Sequence, residues 1–485
     1  MKKTYFSEIL LAFLMVLCAY GYFYSGLDWN SSSRLSMVKA VVDAKRFEIG
    51  LYSQKIMPTM DKALVNGRYY SDKAIGSALL GIEFYYPLSR IYHRLYGEQM
   101  PIDLFGDTTT LLAISLLCAF LAPLVYSCVK KISGRPGFAL LITAAICLGT
   151  PFFVYSTAFY GHTLAGLFLF AAFFLWFSIR TGSDISLIKV LSSGILLGYA
   201  FITEYTTALI LFLLGLYILY VLWRKQQLSN WKVLLALAVG SFIPVAVAML
   251  YNYVIFKNPF STGYAFEAEP AFSMNQNTGF MGIGLPNLRV LYEMTLNTTM
   301  GVFWQSPVLL LAFVGWVVSF RKSGYRAEAV LTLGAVLVYF LTVSGYYLWW
   351  GGGAFTPRDI IPVLPFFAIP LAFLPRKTHL AALVLAVVSI AQMLIVTAAK
   401  STGLKEAIEY LTYHQFEPMF QNSMIYKVYF PNFMAQSLAV NRGQEFFGLS
   451  GFTSLLPLIV LEAAILVLFF RVAAQPADEP PTANA

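Results

Sequence analysis

The chain has 485 residues, of which 58% are hydrophobic and 12% charged, with a formal net charge of +9 and a mean hydropathy of +0.68. A soluble domain carries roughly 25% charged residues, so this composition excludes a soluble globular protein and assigns an integral membrane one. Nearly half of the basic residues fall in short loops, where membrane topology accounts for them, and no nucleic-acid partner is expected.

In chain order, two lysines precede an apolar run from Ile9 to about Tyr24. Tyr20 to Tyr24 is bulky where a signal-peptide cleavage site would need small residues, and Leu17 before Cys18 does not fit a lipoprotein site. The run therefore reads as a retained first span. Spans need roughly 20 apolar residues, and the pattern gives about twelve: 8–25, 107–128, 138–157, 162–180, 187–203, 206–223, 233–255, 303–320, 328–345, 359–375, 379–398 and 453–471.

Lys2, Lys3, Lys130, Lys131, Arg135, Arg180, Lys189, Arg224, Lys225, Lys232, Arg321, Lys322, Arg326, Arg376, Lys377 and Arg471 all fall on one side of that pattern. The short loops on the other side, 158–161 and 204–205, carry no basic residue. By the positive-inside rule both termini are cytoplasmic. The long polar segments 26–106, 256–302, 346–358 and 399–452 then lie outside, so the chemistry belongs to the outer face. The expected organisation is a transmembrane core over 1–398, with its large first outer loop at 26–106. An outer loop, a last span and a disordered tail follow over 399–485.

Within the first loop, Arg34 to Phe47 alternates apolar residues with Lys39, Lys45 and Arg46, the pattern of an amphipathic helix lying on a membrane. Ala74 to Tyr96 is a second, tyrosine-rich helix that Pro87 should kink. Between them runs Val65-Asn66-Gly67-Arg68-Tyr69-Tyr70-Ser71-Asp72-Lys73. The ammonium of Lys73 suits a phosphate and Asp72 can keep it oriented; an exposed surface pair would look the same and contribute little. Asp28 closely follows the first span, where a carboxylate can accept a proton from an acceptor hydroxyl, although an ordinary interfacial residue would sit there too.

The second dense stretch is Tyr346 to Asp359. Trp349 and Trp350 suit an interfacial aromatic belt, and the glycines 351–353 allow a ligand close to the backbone. Arg358, at the mouth of a span, is a candidate phosphate clamp. His162 and Glu204 stand at the outer ends of their spans, where helix capping is the plainer explanation. Glu267 and Glu269 read as solvated. Tyr410, Tyr413, His414, Tyr426 and Tyr429 mark the last outer loop as an acceptor surface or a cover. The four cysteines form no CxxC pair and the four histidines are scattered, so no disulfide framework or metal cluster is indicated.

Together these features resemble the membrane-embedded GT-C glycosyltransferases, in particular the bacterial relatives of protein O-mannosyltransferases and of the transferase that adds aminoarabinose to lipid A. The resemblance is strongest through Ser33-Arg34 and Gly67 to Gly76, and looser through Gly161-His162, Glu204-Tyr205, Tyr251-Asn252, Pro259 and Trp349 to Arg358. It implies an all-α polytopic fold in the bacterial inner membrane. It also implies a polyprenyl-phosphate sugar donor and a lipid, glycan or protein acceptor at the periplasmic face. No cofactor is expected, and a divalent cation has no dedicated cage in the sequence.

In that family a lysine preceded by an acid contacts the lipid phosphate. Asp72-Lys73 matches, with Ala74 and Ile75 where the family has prolines. Ser31 and Ser32 occupy the places of the family's acidic base, so Asp28 or Asp72 would act as catalytic base. Arg34, Tyr69, Tyr70, Lys73, His162, Glu204, Trp349, Trp350 and Arg358 would bind substrate. A transporter or flippase, or a polymerase, of lipid-linked saccharides is the alternative. The near absence of charge at mid-span favours outer-face chemistry over conduction.

Overall fold

In the computed structural model, residues 2–276, 279, 281–352, 354–399 and 423–475 are described. Among them, eight helices are long and apolar enough to cross a membrane: Thr4–Tyr22 (α1), Ile102–Ser133, His162–Arg180, Tyr205–Arg224, Trp231–Phe256, Arg326–Ser344, Arg376–Ala398 and Gly451–Ala473. Shorter apolar helices Pro136–Cys147, Leu187–Thr203 and Pro307–Arg321 fill the bundle between them. The protein is an all-α polytopic membrane protein. Its sheet, among the described residues, is the two-stranded hairpin β1 (Ala63–Val65) and β2 (Arg68–Tyr70). Asn66 and Gly67 close it at φ values of 49° and 76°, as a two-residue turn with positive φ at both positions requires.

The segment expected to span at 359–375 is built differently. Residues Arg358–Phe367 form a 3-10 helix that continues as Ala368–Leu371, and every side chain from Ile360 to Leu374 is buried. Pro362 and Pro365 remove the amide donors that an α-helix would need there. Packed neighbours enclose this strut, chiefly the helices His162–Arg180 and Arg326–Ser344.

The first outer loop opens with α2 (Trp29–Ala44), which overturns the expectation of a surface helix from Arg34. Its residues Asn30 to Ala40 are all buried. Of the basic residues in the pattern, Lys39 points into the protein, where it pairs with Asp43 at 2.8 Å and Asp43 also accepts from the Tyr85 hydroxyl at 3.1 Å; Lys45 and Arg46, at the end of the helix, are exposed. The second helix, α3 (Gly76–Tyr96), fits its expected place better. Its end past Pro87 exposes Ile91, Leu95 and Tyr96, an apolar surface suited to the interface.

The functional side chains gather at one end of the bundle. His162 begins its helix and Arg180 ends it. Arg180 pairs with Glu328, near the start of Arg326–Ser344. Glu204 caps the C-terminal end of Leu187–Thr203, and Ser344 leads into the stretch towards Arg358. The Glu8–Lys130 and Arg180–Glu328 pairs mark the opposite end.

Candidate active site

Asp28 is the N-cap of α2. Its carboxylate accepts from the Ser31 amide at 2.8 Å and the Ser31 hydroxyl at 2.7 Å, satisfying donors that a helix start leaves open. The Tyr160 hydroxyl donates to its second oxygen. Burial and the adjacent Asp28 carboxylate push the Tyr160 phenol well above its usual range, so the phenol remains the donor.

One turn into α2, Arg34 is 1% exposed and ties four segments together. It donates to the Asn30 side chain at 2.9 Å, the Ala74 carbonyl at 3.1 Å, the Ser77 hydroxyl at 2.8 Å and Glu204 at 2.8 Å. Burial raises the Glu204 pKa although Arg34 pulls it down. His162 Nδ1 lies 3.2 Å from the same Glu204 oxygen and Nε2 lies 3.9 Å from Asp359. Neither contact is aligned as a hydrogen bond. Residue 161 must be glycine for this packing, since a Cβ there would lie 2.4 Å from Glu204 Oε1 and 2.9 Å from the Thr203 carbonyl.

After the hairpin, Ser71 and Asp72 pack against α2 through Ser33, whose hydroxyl lies 2.9 Å from that of Ser71 and 3.1 Å from the Asp72 carboxylate. Lys73 pairs with Asp72 at 2.6 Å and with Asp61 at 3.0 Å, and its ammonium sits over the Tyr264 ring at 5.7 Å. Burial draws the ammonium down, but Asp61 and Asp72 more than offset it, and its pKa lies well above the usual lysine value. Burial and the neighbouring Asp72 carboxylate push Glu267 up to about 9.

Two cavities meet at this cluster. The first, of roughly 340 Å³, is lined by Arg34, Lys73, His162, Glu204, Arg358 and Asp359 together with apolar Leu209, Ile283, Val343 and Leu348. The second, of roughly 500 Å³, is lined by Asp28, Trp29, Tyr155, Tyr160, Phe355 and Tyr429 among others. Arg358 and Tyr160 form their common boundary, the guanidinium 5.6 Å from the ring centroid. Among the described residues Arg358 makes no hydrogen bond or ion pair, so its donors face the cavity.

No family model and no curated protein matches this chain. Among solved structures it is similar to ArnT from Cupriavidus metallidurans, in the apo state and bound to undecaprenyl phosphate. Both comparisons give a TM-score of 0.46 and 14% identity over 96% of this chain, covering 74% and 75% of the respective ArnT chains.

Of the residues singled out in the sequence, Arg34, Lys73, His162, Glu204 and Arg358 share the first cavity, and Asp28 lies in the second. Asp72 lines neither and is buried behind Lys73. Tyr69 and Tyr70 also stand outside both cavities; Tyr69 lies under the Lys62 ammonium, 4.8 Å away. Trp349 and Trp350 pack edge to face on each other at 5.9 Å, away from both. Tyr410, Tyr413 and His414 lie outside the described residues, whereas Tyr429 lines the second cavity.

Glu267, read as solvated, instead lines the first cavity. It is brought there by a bridge to Ala63 and by the Ala268 amide, which donates to the Lys62 carbonyl at 2.9 Å. Asp61 and Tyr160 gave no signal of their own. Each takes its place through a partner elsewhere in the chain, Lys73 for Asp61 and Asp28, 132 positions away, for Tyr160.

Proposed function

We propose that this protein is a GT-C type glycosyltransferase that moves a sugar from a polyprenyl-phosphate donor to an acceptor hydroxyl at the outer face of a bacterial inner membrane, with both termini cytoplasmic. The observation that carries the reading is Arg358: a guanidinium that no carboxylate among the described residues reaches by hydrogen bond or ion pair, in the same cavity as Lys73 and beside an apolar wall. A phosphate on a hydrocarbon chain asks for that combination. The planar fork of the guanidinium suits bidentate phosphate binding, while Leu209, Ile283, Val343 and Leu348 offer apolar contact to the prenyl chain.

In this scheme Arg358 and Lys73 hold the donor phosphate, and Asp61 and Asp72 orient Lys73. Asp28, at the junction of the two cavities, takes the proton of the acceptor hydroxyl. The acceptor oxygen bonds to the anomeric carbon as the bond from that carbon to the phosphate oxygen breaks. The bonding pair leaves with the polyprenyl phosphate, where Arg358 and Lys73 stabilise the added charge, and the sugar inverts. Arg34, Glu204 and His162 brace the floor of the cavity. The step uses no cofactor.

The test is release of free polyprenyl phosphate by the purified protein, supplied with polyprenyl-phosphate sugars and a crude membrane acceptor extract. Release that both Asp28→Asn and Arg358→Ala abolish is the expected result. Movement of the lipid across vesicles with no release would replace the reading with a flippase.

A further inference from the structure

The two cavities differ in their cations. Arg34, Lys73 and Arg358, with His162, line the first beside the carboxyl groups of Asp61, Glu204, Glu267 and Asp359. Among the described residues no lysine, arginine or histidine lines the second, and its charged group is the Asp28 carboxylate. Part of its wall is aromatic. Phe355 stacks on Tyr155 at 5.9 Å and meets Tyr429 edge-on at 6.1 Å, and all three are at most 7% exposed. Trp29 stands free, 39% exposed, with Asp28 as its chain neighbour. Ser25, Ser32 and Thr397 add small polar groups, and aliphatic side chains such as Leu27, Ile56, Met57, Val154 and Val396 fill the rest of the lining.

Flat apolar faces beside a few fixed hydroxyls and one carboxylate suit a ligand with apolar C–H faces and a rim of hydroxyl groups. That is the surface of a sugar ring. An anionic group would enter against the Asp28 charge, and among the described residues the lining itself holds no cation to compensate for its desolvation, Arg358 lying behind the Tyr160 ring.

We propose that the second cavity receives the sugar ring of an uncharged glycan acceptor, packed against Trp29 with its reactive hydroxyl turned to Asp28, and that it rejects phosphorylated sugars. The inference rests on the transferase reading and names the acceptor class for it. Tyr160 then serves as a positioning residue, holding the Asp28 carboxylate while Arg358 lies against its other side.

The experiment uses the full-length protein in lipid nanodiscs with two probes. Saturation-transfer NMR follows methyl glycosides of glucose, galactose and mannose against glucose 6-phosphate, and a separate titration follows farnesyl phosphate. The expected result is saturation of the ring protons of at least one methyl glycoside and none for glucose 6-phosphate. Trp29→Ala should weaken the glycoside about tenfold, as loss of an aromatic anchor does, and should leave farnesyl phosphate binding in place, which also shows that the variant is folded. Glucose 6-phosphate binding as well as the glycosides, no glycoside binding, or a glycoside signal indifferent to Trp29→Ala would each overturn the inference. If farnesyl phosphate fails to bind while the glycoside contrast holds, the donor reading falls and the sugar-binding cavity stands.

Discussion

Lys73 and Arg358 face the same cavity and are held in opposite ways. Lys73 is fixed by Asp61 and Asp72, with Glu267 close by, so its charge is largely spoken for before any ligand arrives. Arg358 has the Tyr160 ring against it and no carboxylate hydrogen bond. The contrast separates two tasks that the sequence lets one assign to either residue. Lys73 is a structural cation that also lines the cavity, whereas Arg358 is the group left wanting an anion.

Removing each cation in turn tests that division. Lys73→Met should abolish release of polyprenyl phosphate and also lower stability by about 3–5 kcal/mol, the range for stripping one partner from a buried pair, read by denaturant unfolding in detergent. Adding Asp72→Asn to that variant should recover part of the stability and none of the activity. Arg358→Ala should lower turnover by about 10²–10³-fold, as loss of a charge-stabilising donor does, with little change in the unfolding midpoint. Arg358→Lys should restore only a fraction, because a point charge does not reproduce the fork. A Lys73 variant as stable as the parent would erase the contrast.

A smaller effect comes from Glu267, whose pKa is raised from 4.5 to about 9. Between those values the folded state holds a proton that the unfolded state has released, so stability declines as pH rises across that window and levels off above it. Glu267→Gln should flatten the decline in a melting series over that range. The smallest change is expected at Trp349, which lines neither cavity: Trp349→Phe should alter farnesyl phosphate binding by no more than about twofold, the scale of a substitution away from the site. A large loss there would bring the tryptophan pair back into the binding surface.

Hydropathy made the bundle legible because a membrane span is a local property of some twenty residues. Asp72-Lys73 was legible for the same reason, being adjacent in the chain. Arg34–Glu204 is separated by 170 residues, and nothing local announces either partner. The reading of α2 as a surface helix failed because a basic residue among apolar ones looks the same whether it meets water or a buried carboxylate. At 359–375 the hydrophobic length was read correctly and the prolines were underweighted, so a 3-10 strut runs between Arg358 and the Arg135–His379 contact where a regular α-helical span was expected. Glu267 was misplaced because its loop folds back onto the hairpin, a contact between residues some 200 positions apart.

The end of the chain is fastened to its beginning. The Tyr24 amide donates to the Val440 carbonyl at 3.2 Å, Arg442 grips Asp107 at 2.6 and 2.7 Å, and Tyr22 donates to the Ser454 carbonyl at 2.5 Å. Arg442 also donates to the Gly21 carbonyl, 421 residues back along the chain. Synthesis runs at roughly 5–20 residues per second, so the segment that carries Asp28 waits on the order of tens of seconds in the bilayer before its clasp is made. During biogenesis the earlier helices insert and pack, the first cavity takes shape, and the second lacks Tyr429 and Ala439 from its wall. A chain truncated before 423 would therefore insert with its first cavity formed and its second unfinished.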